Sequence, residues 1–436
     1  MELFDVPVTV SNPMLSFKNQ KTKIVKEYVY VKCDCKRKRA YEVTIMDFSR
    51  EIMVEILSRL TIKPIFRCKT VCKRWYNLLT SDPLFVKMYQ TRSCNFPCIL
   101  LSNDDSIASV LELKADYDYY SRSRNRPVML SPEFHIPRHK DRFGYSFDRK
   151  KLTLIGSCNG LICLWSGDRY DENYSIYISN PLLGEYFKVK LPEWEKRVRR
   201  VAYTLCYSEG SGQYKVLRSV IRKFRGRPEV SELEVCNLGV DEKWRNVGEA
   251  AFPLFGRFGN VNVNGVLYWL KDDDDIKTSA SIQSFNLVTE EVKPVPVPPG
   301  LKTPSLGLRL AELGNCLCLT DSCSSQHVDI WWMKEDGIAD SWTKDCILTN
   351  SIPRDICISD LIPIIFWKDG EILMQSRRHT ELLSYNPKEK KFRKVKVYDG
   401  GYAATRYIPS FYSLKTIMGE SFQISNAYPK AEILKT

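Results

Sequence analysis

Ser157-Cys158-Asn159-Gly160-Leu161-Ile162-Cys163-Leu164-Trp165 joins a turn to an unbroken apolar run. Asn-Gly marks a tight turn, because Gly adopts positive φ without steric cost and Asn tolerates it. A short apolar run bounded by turn residues reads as a strand. The same arrangement returns along the chain. Starting from Gly160, the glycines Gly212, Gly265, Gly314 and Gly370 follow at spacings of 52, 53, 49 and 56 residues, and each precedes or starts an apolar run. Those runs include Tyr214-Lys215-Val216-Leu217, Val266-Leu267-Tyr268-Trp269, Cys316-Leu317-Cys318-Leu319 and Glu371-Ile372-Leu373-Met374. A second polar turn recurs inside the units: Ile178-Ser179-Asn180-Pro181, Phe285-Asn286-Leu287 and Ser384-Tyr385-Asn386-Pro387 each precede one more strand. A repeat of about 50 residues with about four strands reads as the blades of a β-propeller. Pro97–Pro137 is expected to supply part of another blade, closed by strands near the C-terminus. The blade number stays open at this point.

Upstream of the strands the periodicity changes. Ile52, Ile56, Leu57 and Leu60 fall at helical spacing, with Asp47 or Ser49 available as a cap and Glu51 in the first turn. Thr61 and Pro64 suit a fresh helical start. Ile65, Val71, Cys72, Trp75, Leu78 and Leu79 continue the helical spacing, and Asp82-Pro83 reads as cap and first residue of a last helix. Trp75 and Leu78 are expected inside. About 45 residues of short helices make a marginal core. Part of the apolar set should therefore be left for a partner.

The chain has 436 residues, 44% hydrophobic and 27% charged, as in an ordinary globular protein of more than one domain. Its 12% aromatic content favours strands. The net charge is +13, from 65 basic and 52 acidic residues, which reads as a mixed solvated surface. No basic start followed by an apolar run marks a secretory signal, and no stretch approaches the ~20 apolar residues of a membrane helix. The 15 cysteines have no regular spacing and are expected as reduced thiols, in the cytoplasm or nucleus or both. Lys36-Arg37-Lys38-Arg39 is a candidate import signal inside an N-terminal extension, residues 1–45.

Catalytic chemistry finds little footing. The four histidines, His135, His139, His327 and His379, belong to no recognisable motif, and no phosphate-cradling glycine loop is present. Gly156-Ser157-Cys158-Asn159-Gly160 lacks hydrolase-elbow spacing and reads as a turn into a strand. Cys316, Cys318, Cys323 and His327 are the best metal candidate, yet the two first cysteines alternate with Leu317 and Leu319 and read better as core. Asp272–Asp275 reads as solvated loop charge. No cofactor and no metal are expected.

Phe48–Leu60 followed by Phe66–Leu79, with Glu55-Ile56-Leu57-Ser58-Arg59-Leu60 and Val71-Cys72-Lys73-Arg74-Trp75 at their cores, resembles the F-box family. That family typically has Leu-Pro where Phe48-Ser49 stand and often Pro where Thr61 stands. Ser157–Leu164, Ile178–Pro181, Tyr214–Val216 and Val328–Lys344 are similar to the plant F-box-associated domain. The resemblance implies an α+β multidomain chain: an all-α F-box at 46–92, then a large all-β, propeller-like domain at 95–415 and a tail at 416–436. It implies a substrate-recognition subunit of a cullin–RING (SCF-type) ubiquitin ligase, without catalysis of its own, that links a target protein to a Skp-type adaptor. The alternative is a propeller scaffold that joins no ligase. Membrane and nucleic-acid partners are not expected. The adaptor-facing residues are expected to be Phe48, Ser49, Ile52, Ile56, Leu57, Leu60, Pro64, Ile65, Val71, Cys72 and Trp75. Substrate selection is expected on the long inserts Gly167–Asn173, Lys223–Glu229 and Lys271–Ser279, above all at Arg222, Phe224, Arg225 and Arg227. Arg197, Arg199 and Arg200, beside Trp194, are a further candidate contact for an acidic partner.

Overall fold

A computed structural model of the chain describes residues 48–93, 98–102, 109–113, 152–167, 174–259, 261–272, 280–303, 305–322, 324, 327–348, 361–376, 381–396, 403–419 and 422–426. The extension at 1–45, with its basic run, lies outside them, as do His135, His139 and His379. The chain divides into two compact units, Met1–Met53 and Val54–Thr436.

In the first unit the described residues, Phe48–Met53, open helix α1 (Arg50–Leu57), and Ser49 Oγ accepts from Ile52 N at 3.4 Å. The second unit completes α1 and adds α2 (Ile62–Cys68), α3 (Lys73–Ser81) and α4 (Pro83–Ser93). Pro64 stands in the first turn of α2, where its missing N–H costs nothing. Asp82 Oδ1 accepts from Leu84 N at 2.9 Å and Phe85 N at 3.3 Å, the cap expected for α4. Arg92 of α4 grips the Glu55 carboxylate with two bonds of 2.9 and 2.8 Å, closing the helices on one another.

Among the described residues there are six sheets, all in the second unit. β1 (Cys98–Ser102), β2 (Ser109–Glu112) and β23 (Ala403–Tyr407) form blade 1. β3 (Leu152–Cys158), β4 (Leu161–Ser166), β5 (Ser175–Asn180) and β6 (Glu185–Lys188) form blade 2, extended by β24 (Ser425–Asn426). Blade 3 is β7 (Val198–Ser208), β8 (Gln213–Arg222), β9 (Val230–Asn237) and β10 (Arg245–Glu249). Blade 4 is β11 (Val261–Val263), β12 (Val266–Leu270), β13 (Ile282–Asn286) and β14 (Val292–Val295). Blade 5 is β15 (Leu308–Leu313), β16 (Cys316–Asp321), β17 (His327–Met333) and β18 (Trp342–Leu348). Blade 6 is β19 (Leu361–Trp367), β20 (Glu371–Ser376), β21 (Leu382–Asn386) and β22 (Lys391–Val395). The fold is a six-bladed β-propeller, and blade 1 joins strands from both ends of the domain, as anticipated.

The five repeated glycines occupy one position: the turn between the first and second strands of blades 2 to 6. Cys158 pairs with Leu161 and Val263 with Val266, so Asn159-Gly160 and Asn264-Gly265 are two-residue turns with positive φ at both residues. The second repeated turn joins strands three and four. In it Asn180, Asn286 and Asn386 each accept two backbone N–H bonds, from Leu182 and Leu183, Val288 and Thr289, and Lys388 and Glu389.

The core explains why the strands read as unbroken apolar runs. A strand turns alternate residues to opposite faces, and here both faces are covered, each by a neighbouring blade. Ile372 and Met374 pack with Leu313, Cys318 and Ile330 of blade 5. Leu373, between them, packs with Ile99 and Leu111 of blade 1. The same holds for Val216 against blade 2 and Leu217 against blade 4.

Residues 416–419 and 422–426, separated by sequence as the start of a tail, belong to this core instead. Helix α5 (Leu414–Met418) places Leu414 there, with Ile417, Met418 and Ile424 packed against it, and β24 pairs with β6. A five-residue helix and a two-residue strand are too short to leave a periodic signal.

Candidate partner-binding surfaces

The helical residues expected to face an adaptor fall into two sets. Leu57, Ile65 and Trp75 are buried, at 1%, 0% and 6% exposure, and serve the core of the helices. They are corrections to the expected contact set, because an amphipathic stripe does not tell which of its members a small core consumes. Ile52 at 49% and Val71 at 58% are open to solvent, Ser49 is exposed, and Phe48, Ile56, Leu60, Pro64 and Cys72 are half-buried. Tyr76, at 49%, is a further exposed apolar group that the periodicity did not single out.

What completes the helical core comes from the far end of the chain. Phe411 is fully buried among Phe66, Phe85 and Tyr89, with ring centroids 6.4, 5.8 and 4.9 Å away. The segment around it is strapped to the propeller. Asn180 Nδ2 donates to Ser410 O and Tyr412 O, both at 2.9 Å. The Glu185 carboxylate accepts from Ser413 Oγ and from Leu414 N. Two glycines leave room for the strap: a Cβ on Gly160 would stand 2.1 Å from Ser410 Cβ, and one on Gly239 2.0 Å from Ile417 O. Ile62 N donates to Glu112 Oε1 of blade 1 at 3.2 Å, and Gln90 of α4 bonds Asn159.

Asn159 lies in a turn between first and second strands. Strands in a blade are antiparallel, so these turns and those between strands three and four emerge on one edge, which carries helices α2 to α4. The loops between strands two and three, and the connections from blade to blade, emerge on the opposite edge. Gly167–Asn173, Lys223–Glu229 and Lys271–Ser279 are the two-to-three loops of blades 2, 3 and 4. Lys223–Glu229 is therefore on the edge distal to the helices, as are Gly167, Lys271 and Asp272; residues 168–173 and 273–279 lie outside the described residues.

On that edge the expected substrate residues separate. Phe224 is half-buried, and Arg225 and Arg227 are exposed. Arg222 is not a contact residue: it ends β8 with its side chain 11% exposed, bound to Glu195 at 3.0 Å, Glu234 at 2.7 Å and Glu232. Arg218, four residues back along β8 on the same face, binds Glu234 at 2.7 Å. The hydrogen bond from Arg222 holds the Glu195 carboxyl below its usual range. A guanidinium desolvated to this degree requires such partners, and sequence placed it in the basic loop only because a strand end is hard to locate by eye. Asp272 is likewise not free charge, since it binds Arg200 at 2.6 Å; Asp273–Asp275 lie outside the described residues.

The metal candidate is not assembled. Cys318 faces the core between blades 5 and 6, and Leu317 and Leu319 face that between blades 4 and 5. Cys318 stands opposite Trp332, and His327 lies five residues further along β17, about 16 Å away. Cys323 lies outside the described residues. His327 has another setting: its Nδ1 is 3.1 Å from Ser324 Oγ and its Nε2 3.5 Å from Asp329 Oδ2. The same Asp329 oxygen binds Lys344 Nζ at 2.6 Å.

The chain thus carries short helices and a six-bladed propeller, and comparison with known proteins finds both parts. The F-box associated beta propeller domain matches residues 119–420 and the F-box domain matches residues 45–87. The chain belongs to the family of plant F-box proteins with an F-box associated propeller domain. It is 27% identical to F-box protein At3g07870 of Arabidopsis thaliana over 79% of this chain and 86% of that protein. It is 24% identical to F-box protein CPR1 of the same plant, over 84% and 87%. Among solved structures, the crystal structure of a Nidogen/Laminin complex aligns with a TM-score of 0.38 at 10% identity, over 68% of this chain and 91% of that one.

Proposed function

We propose that this chain is a non-catalytic substrate receptor of a cullin–RING ubiquitin ligase, acting in the cytoplasm or nucleus. The helical module docks on a Skp-type adaptor, and the propeller holds a target protein on its distal edge. Proximity performs the work: a tethered target meets the ubiquitin-charged enzyme at raised effective concentration. The observation that carries this reading is the exposure of Val71 and Tyr76 on helices whose own core is already closed by Phe411. Apolar groups left outside a finished core mark a partner surface.

Co-purification of the full chain with a Skp-type adaptor tests it. Ile52→Glu with Val71→Glu should abolish capture and leave unfolding unchanged, since both side chains are solvent-exposed. Leu57→Asp is unsuitable, because Leu57 is buried and its loss would unfold the helices. A folded chain that fails to capture the adaptor leaves the scaffold reading. That reading is favoured by Phe48-Ser49 and Thr61, which stand where the family typically has Leu-Pro and Pro.

A further inference from the structure

Two basic stretches, well separated in sequence, meet on the distal edge of blade 3. Glu193–Arg200 leads into and opens β7, and Lys223–Glu229 joins β8 to β9. Because Val198 pairs with Arg222, the two loops leave the sheet side by side. Lys223 N donates to Arg197 O at 2.9 Å, and the Arg197 guanidinium lies 5.2 Å over the Phe224 ring. Arg199 reaches Glu229 at 3.6 Å. Lys196, Arg197, Arg199, Lys223, Arg225 and Arg227 are all exposed on this one surface.

The acids nearby do not balance them. Glu195, Glu232 and Glu234 are engaged by Arg222 and Arg218. Glu229 is shared between Arg199 and Lys223, the latter at 3.9 Å, while Glu193, Glu195 and, at the end of β10, Glu249 are the other exposed carboxylates, fewer than the six exposed cations. Lys196, Arg225 and Arg227 have no ionic partner among the described residues. A single phosphate is gripped by converging, partly desolvated guanidiniums. The two desolvated guanidiniums here are already neutralised, and the free ones are solvated and spread along two loops. That distribution suits many anionic groups in a row. Phe224, half-buried beneath Arg197, offers an apolar anchor of the kind found at interface centres.

We propose that the segments 193–200, a loop and the start of β7, and 223–229 together form the docking surface for an acidic, Asp/Glu-rich segment of a partner protein. The inference deepens the receptor reading, and supplies its substrate class.

The test uses the full chain and fluorescence anisotropy with three labelled probes: an Asp/Glu-rich peptide, a neutral peptide of the same length with one phosphoserine, and a single-stranded RNA. The acidic peptide should bind best, and more weakly as salt rises. Arg225→Glu with Arg227→Glu, and separately Lys196→Glu with Arg197→Glu, should each weaken it by about tenfold or more. Lys243→Glu with Lys302→Glu makes the same charge change at two exposed sites elsewhere and should weaken it less than about threefold. No binding of the acidic peptide, equal loss in the control pair, or tighter binding of the phosphopeptide or the RNA overturns the proposal. Adaptor co-purification from the same samples keeps the two readings apart. A chain that takes the acidic peptide but no adaptor retains this surface and refutes the receptor.

Discussion

Phe411→Ala should loosen the helical module from within. Phe411 is fully buried and touches three aromatic rings, Phe66, Phe85 and Tyr89. Replacing a buried Phe by Ala typically costs about 3–5 kcal/mol, from lost transfer free energy and the cavity left behind. Each lost ring pair adds about 0.5–1.5 kcal/mol beyond area, so the upper part of that range applies. A domain is stable by only about 5–15 kcal/mol, and a module of short helices by less. Helices α2 to α4 should therefore open while the blades, whose interfaces Phe411 does not enter, stay closed. Hydrogen exchange read by mass spectrometry should show protection falling in peptides from 62–93 and unchanged in those from blades 3 to 5. Urea unfolding should show an early transition absent from the wild type. Phe411→Leu should restore most of the protection. If Phe411→Ala costs less than about 1 kcal/mol and α4 keeps its protection, the strap does not complete the helical core and the reasoning fails.

Asn180→Ala should cost about 3 kcal/mol or more in urea unfolding, because it orphans the buried carbonyl of Ser410, the part-buried one of Tyr412 and two buried turn N–H groups. Asn386→Ala, in the equivalent but solvated turn, should cost about 1 kcal/mol. Glu290, bonded by Arg245 and then by Lys215, has its carboxyl lowered from 4.5 to about 2. A depressed folded value means that its stabilisation is full above about pH 4.5 and is lost as pH falls towards 2. Glu290→Gln should therefore flatten the acid limb of the stability profile in that window by about one proton; an unchanged slope would refute the assignment.

Much of this molecule is legible in its sequence because its logic is local and repeated. Gly160, Gly265 and Gly370 sit where a two- or three-residue turn demands positive φ, so their spacing reports the blade period directly. Asn180, Asn286 and Asn386 mark the second turn for the same kind of reason, a side chain bonding backbone two and three residues on. Asp82-Pro83 and Pro64 place helix starts by the stereochemistry of one turn. The blade number was not legible, because blade 1 takes strands from 98–112 and 403–407 and no single unit shows it.

Tertiary structure alone decided what each surface is made of. Arg222 and Arg225 look alike in a basic run, yet a pleated strand end turns the first onto three glutamates and a loop leaves the second in water. Leu57 and Val71 share a helical pattern, but only packing separates the one that fills the core from the one left outside. Phe411 carries no signal, since its partners lie more than 300 residues away in sequence. Arg197 and Phe224 meet for the same reason, through the register of β7 on β8. Short-range stereochemistry is written in neighbouring residues; burial and charge neutralisation depend on which distant strands come together, and only closing the ring of blades fixes that.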